Sequence, residues 1–419
     1  MKSNTSCICR ISLSCLLGLG SGFLFAQDVS FSLPPPEEEV VQDFTVEDTQ
    51  ENRQTRANIA ELQAQIEAEE GAQDAFSSGL GELSYDLGNQ LLQLNLFNEA
   101  LAAFRRAEHL LRINNGLYSL EQVPALEGMI QANMRLRDWE KVDEDMDRLI
   151  WLYSRNRNEG SPEYLSVLGD YAKYHLAAFF WNVDEIGLVH LIEAQDTLQF
   201  IADVSLERGF EYDPMLYESL SITNYTLMGY GSSSDKYMNT PELDRRMGLG
   251  SYLANSYRRG LDYLRAGREA AYQSDNMEHR IHADLVLADW YQLFFKRYEA
   301  QEYLKQAWET ASLVELEDSS EFVQPHILPR QGYLSLLPDL TTLSSQEETK
   351  ITIRMDVDEW GAPRNVEVST SEDSELSDEM VIAGNRAVRA ARQSRFRPAI
   401  VDGEPVEYVG YLHAIVVKD

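Results

Sequence analysis

The stretch LGNQLLQLNLFNEALAAFRRA, Leu87 to Ala107, has a counterpart late in the chain, LADWYQLFFKRYEAQEYLKQA, Leu287 to Ala307. In each, apolar side chains recur at spacings of three and four on both sides of a short break. That break is Asn95-Leu96-Phe97-Asn98 in one and Phe295-Lys296-Arg297-Tyr298 in the other. This is the period of two amphipathic helices joined by a tight turn. The offsets match residue by residue. Leu87-Gly88 and Leu91 precede Ala100, Phe104 and Ala107, while Leu287-Ala288 and Tyr291 precede Ala300, Leu304 and Ala307. Small residues suit places where helices approach closely, and large ones fill a neighbour's groove. A recurring helix pair predicts a stacked array.

The pattern resembles the tetratricopeptide repeat. A second unit carries Leu126, Met129, Ile130 and Asn133 on its first helix and Val142, Met146 and Leu149 on its second. The insertion Asn114-Asn115-Gly116-Leu117-Tyr118, with Pro124, absorbs the excess over the family's repeat length. Further degenerate units are expected from Tyr164 to Ile201 and from Leu216 to Ala271, the latter interrupted by the polar stretch Gly229 to Glu242. About five helix pairs are expected, in a mainly α helical-repeat solenoid over residues 52–316.

Composition bounds the function. The chain has 419 residues, 44% hydrophobic and 25% charged, with Gly and Pro scarce, which excludes collagen-like and largely disordered classes. Acidic residues outnumber basic ones by 69 to 36. That balance repels phosphate backbones, so no nucleic-acid partner is expected.

At the amino end, Lys2 and Arg10 precede an apolar run, Ile11 to Ala26, broken only by Ser, Gly and Cys. Residues 1–26 read as a signal peptide cleaved after Ala26, so an exported product is expected. Inner-membrane anchoring by residues 11–26 is the alternative, although the run is shorter than the roughly 20 residues of a spanning helix. Lipidation at Cys15 would want Leu three residues upstream, where Ser12 stands. Cys7, Cys9 and Cys15 all lie in this segment, so thiol chemistry would leave with it. Residues 27–51, with Pro34-Pro35-Pro36 and Glu37-Glu38-Glu39, read as a disordered acidic leader.

Past Glu317 the composition changes. Pro325, Pro329, Pro338 and the polar run Thr341 to Thr349 mark a linker over residues 317–346. Beyond it the period becomes two. Ile351, Ile353, Met355 and Val357 alternate with polar residues, Asp358-Glu359-Trp360-Gly361 turns, and Val366 and Val368 return. Val381 to Gln393 is helical by pattern, and a last strand runs from about Tyr408 to Val417.

The ordered set Gly361, Val366, Val368, Ala391, Arg395, Phe396, Pro398, Ala399, Gly403, Pro405 and Val406 resembles the carboxy-terminal domain of the TonB family, over residues 347–419. The resemblance implies a small α+β module, three strands against one helix. It also implies binding of outer-membrane receptor motifs by strand addition. Independently, the last strand is apolar on both alternations, and an extended peptide is a natural cover for such an edge. A central strand buried on both sides would read the same way. The expected partner surface is Tyr408, Val409, Tyr411, Leu412 and Ile415, with Gly361, Phe396, Pro398, Gly403 and Pro405 as structural motif positions. Arg386, Arg389 and Arg392, with Arg395 and Arg397, form a basic cluster that is either a solvated face or a dock for an acidic peptide.

Unlike a TonB energy transducer, Met1 to Ala26 contains no His, and the spacer shrinks to three prolines. The expected role is therefore a periplasmic protein-binding adaptor supporting TonB-dependent outer-membrane transport, with one partner on the terminal sheet and a second in the groove of the helical array. The alternative is a scaffold for envelope or peptidoglycan assembly. Asp356, Asp358, Gly361 and Glu367 fall at calcium-loop spacing, but Trp360 and Pro363 break that pattern and favour a hairpin turn. His279 and His282 could share a helix face without a third ligand nearby in sequence. No enzyme motif, cofactor, metal or small-molecule substrate is expected.

Overall fold

The computed structural model describes residues 49–72, 76–158, 160–181, 187–232, 255–328, 349–369 and 378–417. The signal segment 1–26, the leader up to residue 48, the later part of the 317–346 linker and the acidic loop after Ser371 lie outside them. Among the described residues, helix α1 (Gln50–Ala72) precedes five helix pairs: α2 (Ser78–Gln93) with α3 (Phe97–Asn115), α4 (Val123–Leu136) with α5 (Trp139–Asn156), α6 (Pro162–Trp181) with α7 (Gly187–Arg208), α8 (Pro214–Ser232) with α9 (Ser256–Gln273), and α10 (Met277–Leu293) with α11 (Arg297–Ser312). Each of these helices also contacts the next one described, the arrangement of a helical-repeat array. Gly229, the first residue of the expected polar interruption, is helical, inside α8. Among the described residues, no helix is long and apolar enough to cross a membrane.

Three of the pairs share one turn. Asn95, Arg137 and Phe295 adopt φ of 58°, 59° and 60°, the left-handed conformation that closes a helix. The amide after each returns to the carbonyl five residues back: Leu96 to Leu91, Asp138 to Asn133, and Lys296 to Tyr291. The same residue then accepts the first bond of the next helix, from Ala100, Val142 and Ala300. None of the three is glycine; Asn95 takes this conformation readily, whereas backbone hydrogen bonding and packing hold Arg137 and Phe295 there against their preference.

Phe104 shows why small residues recur. Its fully buried ring lies between α2 and α4, and a Cβ on either Gly88 or Gly128 would stand 2.6 Å from it. The first two pairs close over a core that includes Leu126, Leu152 and Phe104, and the third to fifth pairs over one that includes Leu220, Leu287 and Trp290. Burying an aromatic side chain of this size contributes about 2–3 kcal/mol.

The expected linker over residues 317–346 is corrected in its first part. Residues 320–323 form a helical turn, α12 (Ser320–Val323), and 326–328 form β1 (His326–Leu328). Strand β1 pairs antiparallel with β4 (Arg395–Arg397), so this segment belongs to the carboxy-terminal module. The rest of that module is β2 (Thr349–Val357), β3 (Pro363–Val368), α13 (Asp378–Gln393), the hairpin β5 (Ala399–Val401) and β6 (Glu404–Val406), and β7 (Tyr408–Val417). Its antiparallel sheet has the order β3-β2-β7. Ile351, Ile353, Met355 and Val357 face Ala383, Ala387 and Ala391 of α13, whose small side chains let the helix lie close.

Candidate functional site

Strand β7 lies at an edge. Among the described residues it pairs with β2 alone, so its other side presents backbone groups without a strand partner. Of the two readings open from sequence, edge and centre, the pairing among the described residues is that of an edge. Its register sorts the expected partner residues. Tyr411 lies opposite Met355 and His413 opposite Ile353, on the face that meets the module's core. Leu412 lies opposite Arg354 on the other face and is 58% exposed, and Val409 is 70% exposed. Tyr408 is half-buried, its ring edge-on to Tyr411 at 6.1 Å. Ile415 pairs with Ile351, and its side chain lies outside the described residues. The five residues are therefore not one surface. Val409 and Leu412 are offered outward, while Tyr411 is built into the module.

Between them, Gly410 at φ 79° marks the shift of register along β2. Its amide donates to Asp356 Oδ1 at 2.9 Å, which accounts for one calcium-spaced acid. Asp358 Oδ1 accepts from the amides of Trp360 and Ala362, at 3.0 and 2.8 Å, and its Oδ2 accepts from Arg364 Nε at 2.9 Å. These acids organise the β2–β3 turn.

The arginine cluster divides. Arg386, Arg389 and Arg392 are exposed along α13. Arg397 instead is buried and meets Asp289 of α10, in the helical array, and Glu321 of α12. Burial alone would lower its pKa, but those two carboxylates outweigh it and raise the value. The Arg395 guanidinium stacks 3.9 Å above the ring of Phe295, the left-handed residue of the last helix pair. Burial first, then Arg297, lowers its pKa.

The motif positions serve the same junction. Gly361, at φ 71°, lies where any Cβ would strike the Phe396 carbonyl and the Gln292 amide. Gln292 of α10 donates to the carbonyls of Trp360 and Phe396. Phe396 is fully buried and Pro398 is buried. Asp402 and Gly403 take φ of 52° and 78°, a two-residue hairpin turn with both angles positive. Gly403 lies against Trp308 of α11, Pro405 pairs with Ile400, and Ile400 joins the core formed by Leu285, Leu304 and Phe322. The module is thus fastened onto α10 and α11.

His279 and His282 engage other residues. His282 Nδ1 lies 3.0 Å from the Tyr212 hydroxyl and its Nε2 lies 3.6 Å from Glu218, while His279 Nδ1 lies 3.6 Å from Glu211. Sequence reading missed the Arg397–Asp289 junction, because nothing local in either segment signals a partner so far along the chain.

No family model matches the chain, and no curated protein matches it. Among solved structures, one similar chain is from Podosopora anserina, described as a kinesin light chain with nearly identical TPR-like repeats. It is 13% identical, covering 56% of this chain and 98% of that one, with a TM-score of 0.37. Another is BtubC (BKLC) from P. vanneervenii, 11% identical, covering 64% of this chain and 93% of that one, with a TM-score of 0.36. Both superpose loosely, and the repeat architecture rests on the chain's own shared turns and stacked pairs.

Proposed function

We propose that this chain is an exported, periplasmic protein-binding adaptor in which β7 accepts an extended segment of a partner by strand addition. The helical array holds a second partner. The observation that carries this reading is the one-sided pairing of β7, with Val409 and Leu412 exposed beside the open edge. Main-chain hydrogen bonds would supply affinity there and the two side chains selectivity. The TonB-like order of residues 361–406 supports receptor amino-terminal motifs as the partner and TonB-dependent outer-membrane transport as the process. No reaction is assigned to the chain.

A scaffold role in envelope assembly is the second reading, favoured by the fastening of the module to α10 and α11, which suits fixed geometry.

The test uses the full chain with methyl-labelled Val and Leu, titrated with receptor amino-terminal peptides. Strand addition moves the Val409 and Leu412 methyl signals, and N-methylation of alternate peptide amides abolishes the effect while leaving peptide side chains intact. Shifts confined to the helical array, or indifference to N-methylation, would overturn it.

A further inference from the structure

Between the second and third helix pairs, side chains from three helices converge: Asp143 of α5, His175 of α6 and His190 of α7. One ligand atom of each lies within 4.8 Å of the other two. Both histidines are buried and Asp143 is half-buried. The two Nδ1 atoms approach to 2.7 Å, with ring centroids 5.0 Å apart. Two imidazole nitrogens this close cannot both present lone pairs to each other, and they cannot both carry a proton. The contact needs one hydrogen between them, as in an N–H···N bond between two neutral rings, or a metal ion in its place.

Asp143 distinguishes the two. A hydrogen bond needs only the imidazoles, whereas the carboxylate adds a third donor and a negative charge within 4.8 Å of a nitrogen of each ring. Its orientation is set by the Tyr174 hydroxyl, which donates to Oδ1 at 2.6 Å, as an outer-shell partner steadies a metal ligand. Tyr171, edge-on to the His175 ring at 4.2 Å, donates to Asp147 Oδ1 at 3.4 Å. Asp147 is exposed one turn along α5, so a carboxylate also stands on the solvent side.

We propose that Asp143, His175 and His190 bind one divalent transition-metal ion of the zinc type, cross-linking α5 to α6 and α7. Two imidazoles and one carboxylate are donors that suit zinc, with a fourth position left to water. Zinc–nitrogen bonds of tetrahedral geometry separate two nitrogens by about 3.3 Å, so the rings part by roughly half an ångström on binding. That displacement is within reach of side-chain rotation at the junction of two helix pairs. The ion would stiffen the stacking of those pairs.

The test is Zn2+ titration of the chelator-stripped full chain by calorimetry, with Co2+ as the spectroscopic probe. One equivalent binds, Co2+ gives the visible bands of a tetrahedral site, and thermal unfolding moves upward. His175→Asn with His190→Asn abolishes binding. Tyr174→Phe weakens it by about 10–100-fold, the usual cost of losing an outer-shell partner. Should circular dichroism show the double variant unfolded, Asp143→Asn and Tyr174→Phe carry the test. Failure of the wild-type chain to bind either ion, or equal binding by folded Asp143→Asn and Tyr174→Phe chains, overturns the site.

Discussion

Arg397 and Asp289, 108 residues apart, meet through two parallel hydrogen bonds, Nε to Oδ1 at 2.8 Å and Nη2 to Oδ2 at 2.6 Å. A third, from Nη1 to Glu321 at 3.0 Å, completes the clamp. Removing the guanidinium leaves two carboxylates facing each other in a partly dry junction. Arg397→Ala is expected to cost about 3–5 kcal/mol, the scale for breaking a buried pair from one side. The loss should appear as a separate, earlier unfolding transition of the carboxy-terminal module by calorimetry. A single unshifted transition would show that the clamp does not hold the junction.

Close helix approach predicts a second effect. Gly88→Ala places a methyl against the Phe104 ring and should destabilise the chain by about 1–3 kcal/mol, as overpacking does. Phe104→Leu in the same chain should recover part of that loss, because the smaller side chain leaves room. Denaturant midpoints of the two single variants and the double variant check the coupling.

Glu127 sets a pH dependence. Burial, and then the neighbouring Asp170, raises its pKa from 4.5 to about 7. Between those values the folded chain holds a proton that the unfolded chain has released. This contribution to stability therefore falls as pH rises through the window. At about 1.36 kcal/mol per pKa unit the full effect is about 3 kcal/mol. Glu127→Gln should remove the slope and leave the chain more stable than wild type at pH 8, as read from urea midpoints at pH 5, 6, 7 and 8.

His326 acts in the opposite direction. Burial, and then Arg397, lowers its pKa from 6.5 to about 4. The docked junction therefore favours the neutral ring. Its contribution is complete above about pH 6.5 and is lost progressively as pH falls towards 4. Proteolysis between the array and the module should accelerate across that interval, and His326→Gln should blunt the acceleration.

Much of the array was legible because its evidence is local. Leu87, Ala100 and Phe104 repeat at Leu287, Ala300 and Leu304, and helical period carries that information within one turn or two. The turns were legible in position but not in conformation. Asn95 is a common left-handed residue, whereas Arg137 and Phe295 are not, and only the bonds around them show why they adopt it. The basic cluster was visible as five arginines, but its division was not. Arg395 and Arg397 are claimed by Phe295, Asp289 and Glu321, whose approach depends on the fold of the whole chain. The same reason hid β1, a three-residue strand recognisable only through its pairing with β4. Asp143, His175 and His190 carry no motif because three separate helices supply them.

Ile400 sits among Leu285, Leu304 and Phe322, while Gly403 lies on Trp308. A stack of helix pairs leaves the outer apolar face of its last pair open to water unless a terminal cap seals it. Here the β5–β6 hairpin and α12 are that cap, so the array cannot be lengthened beyond α11 without displacing them. Truncation before β4 would then yield an uncapped, sticky solenoid rather than a well-behaved fragment, and the length of the array is fixed by the module that closes it.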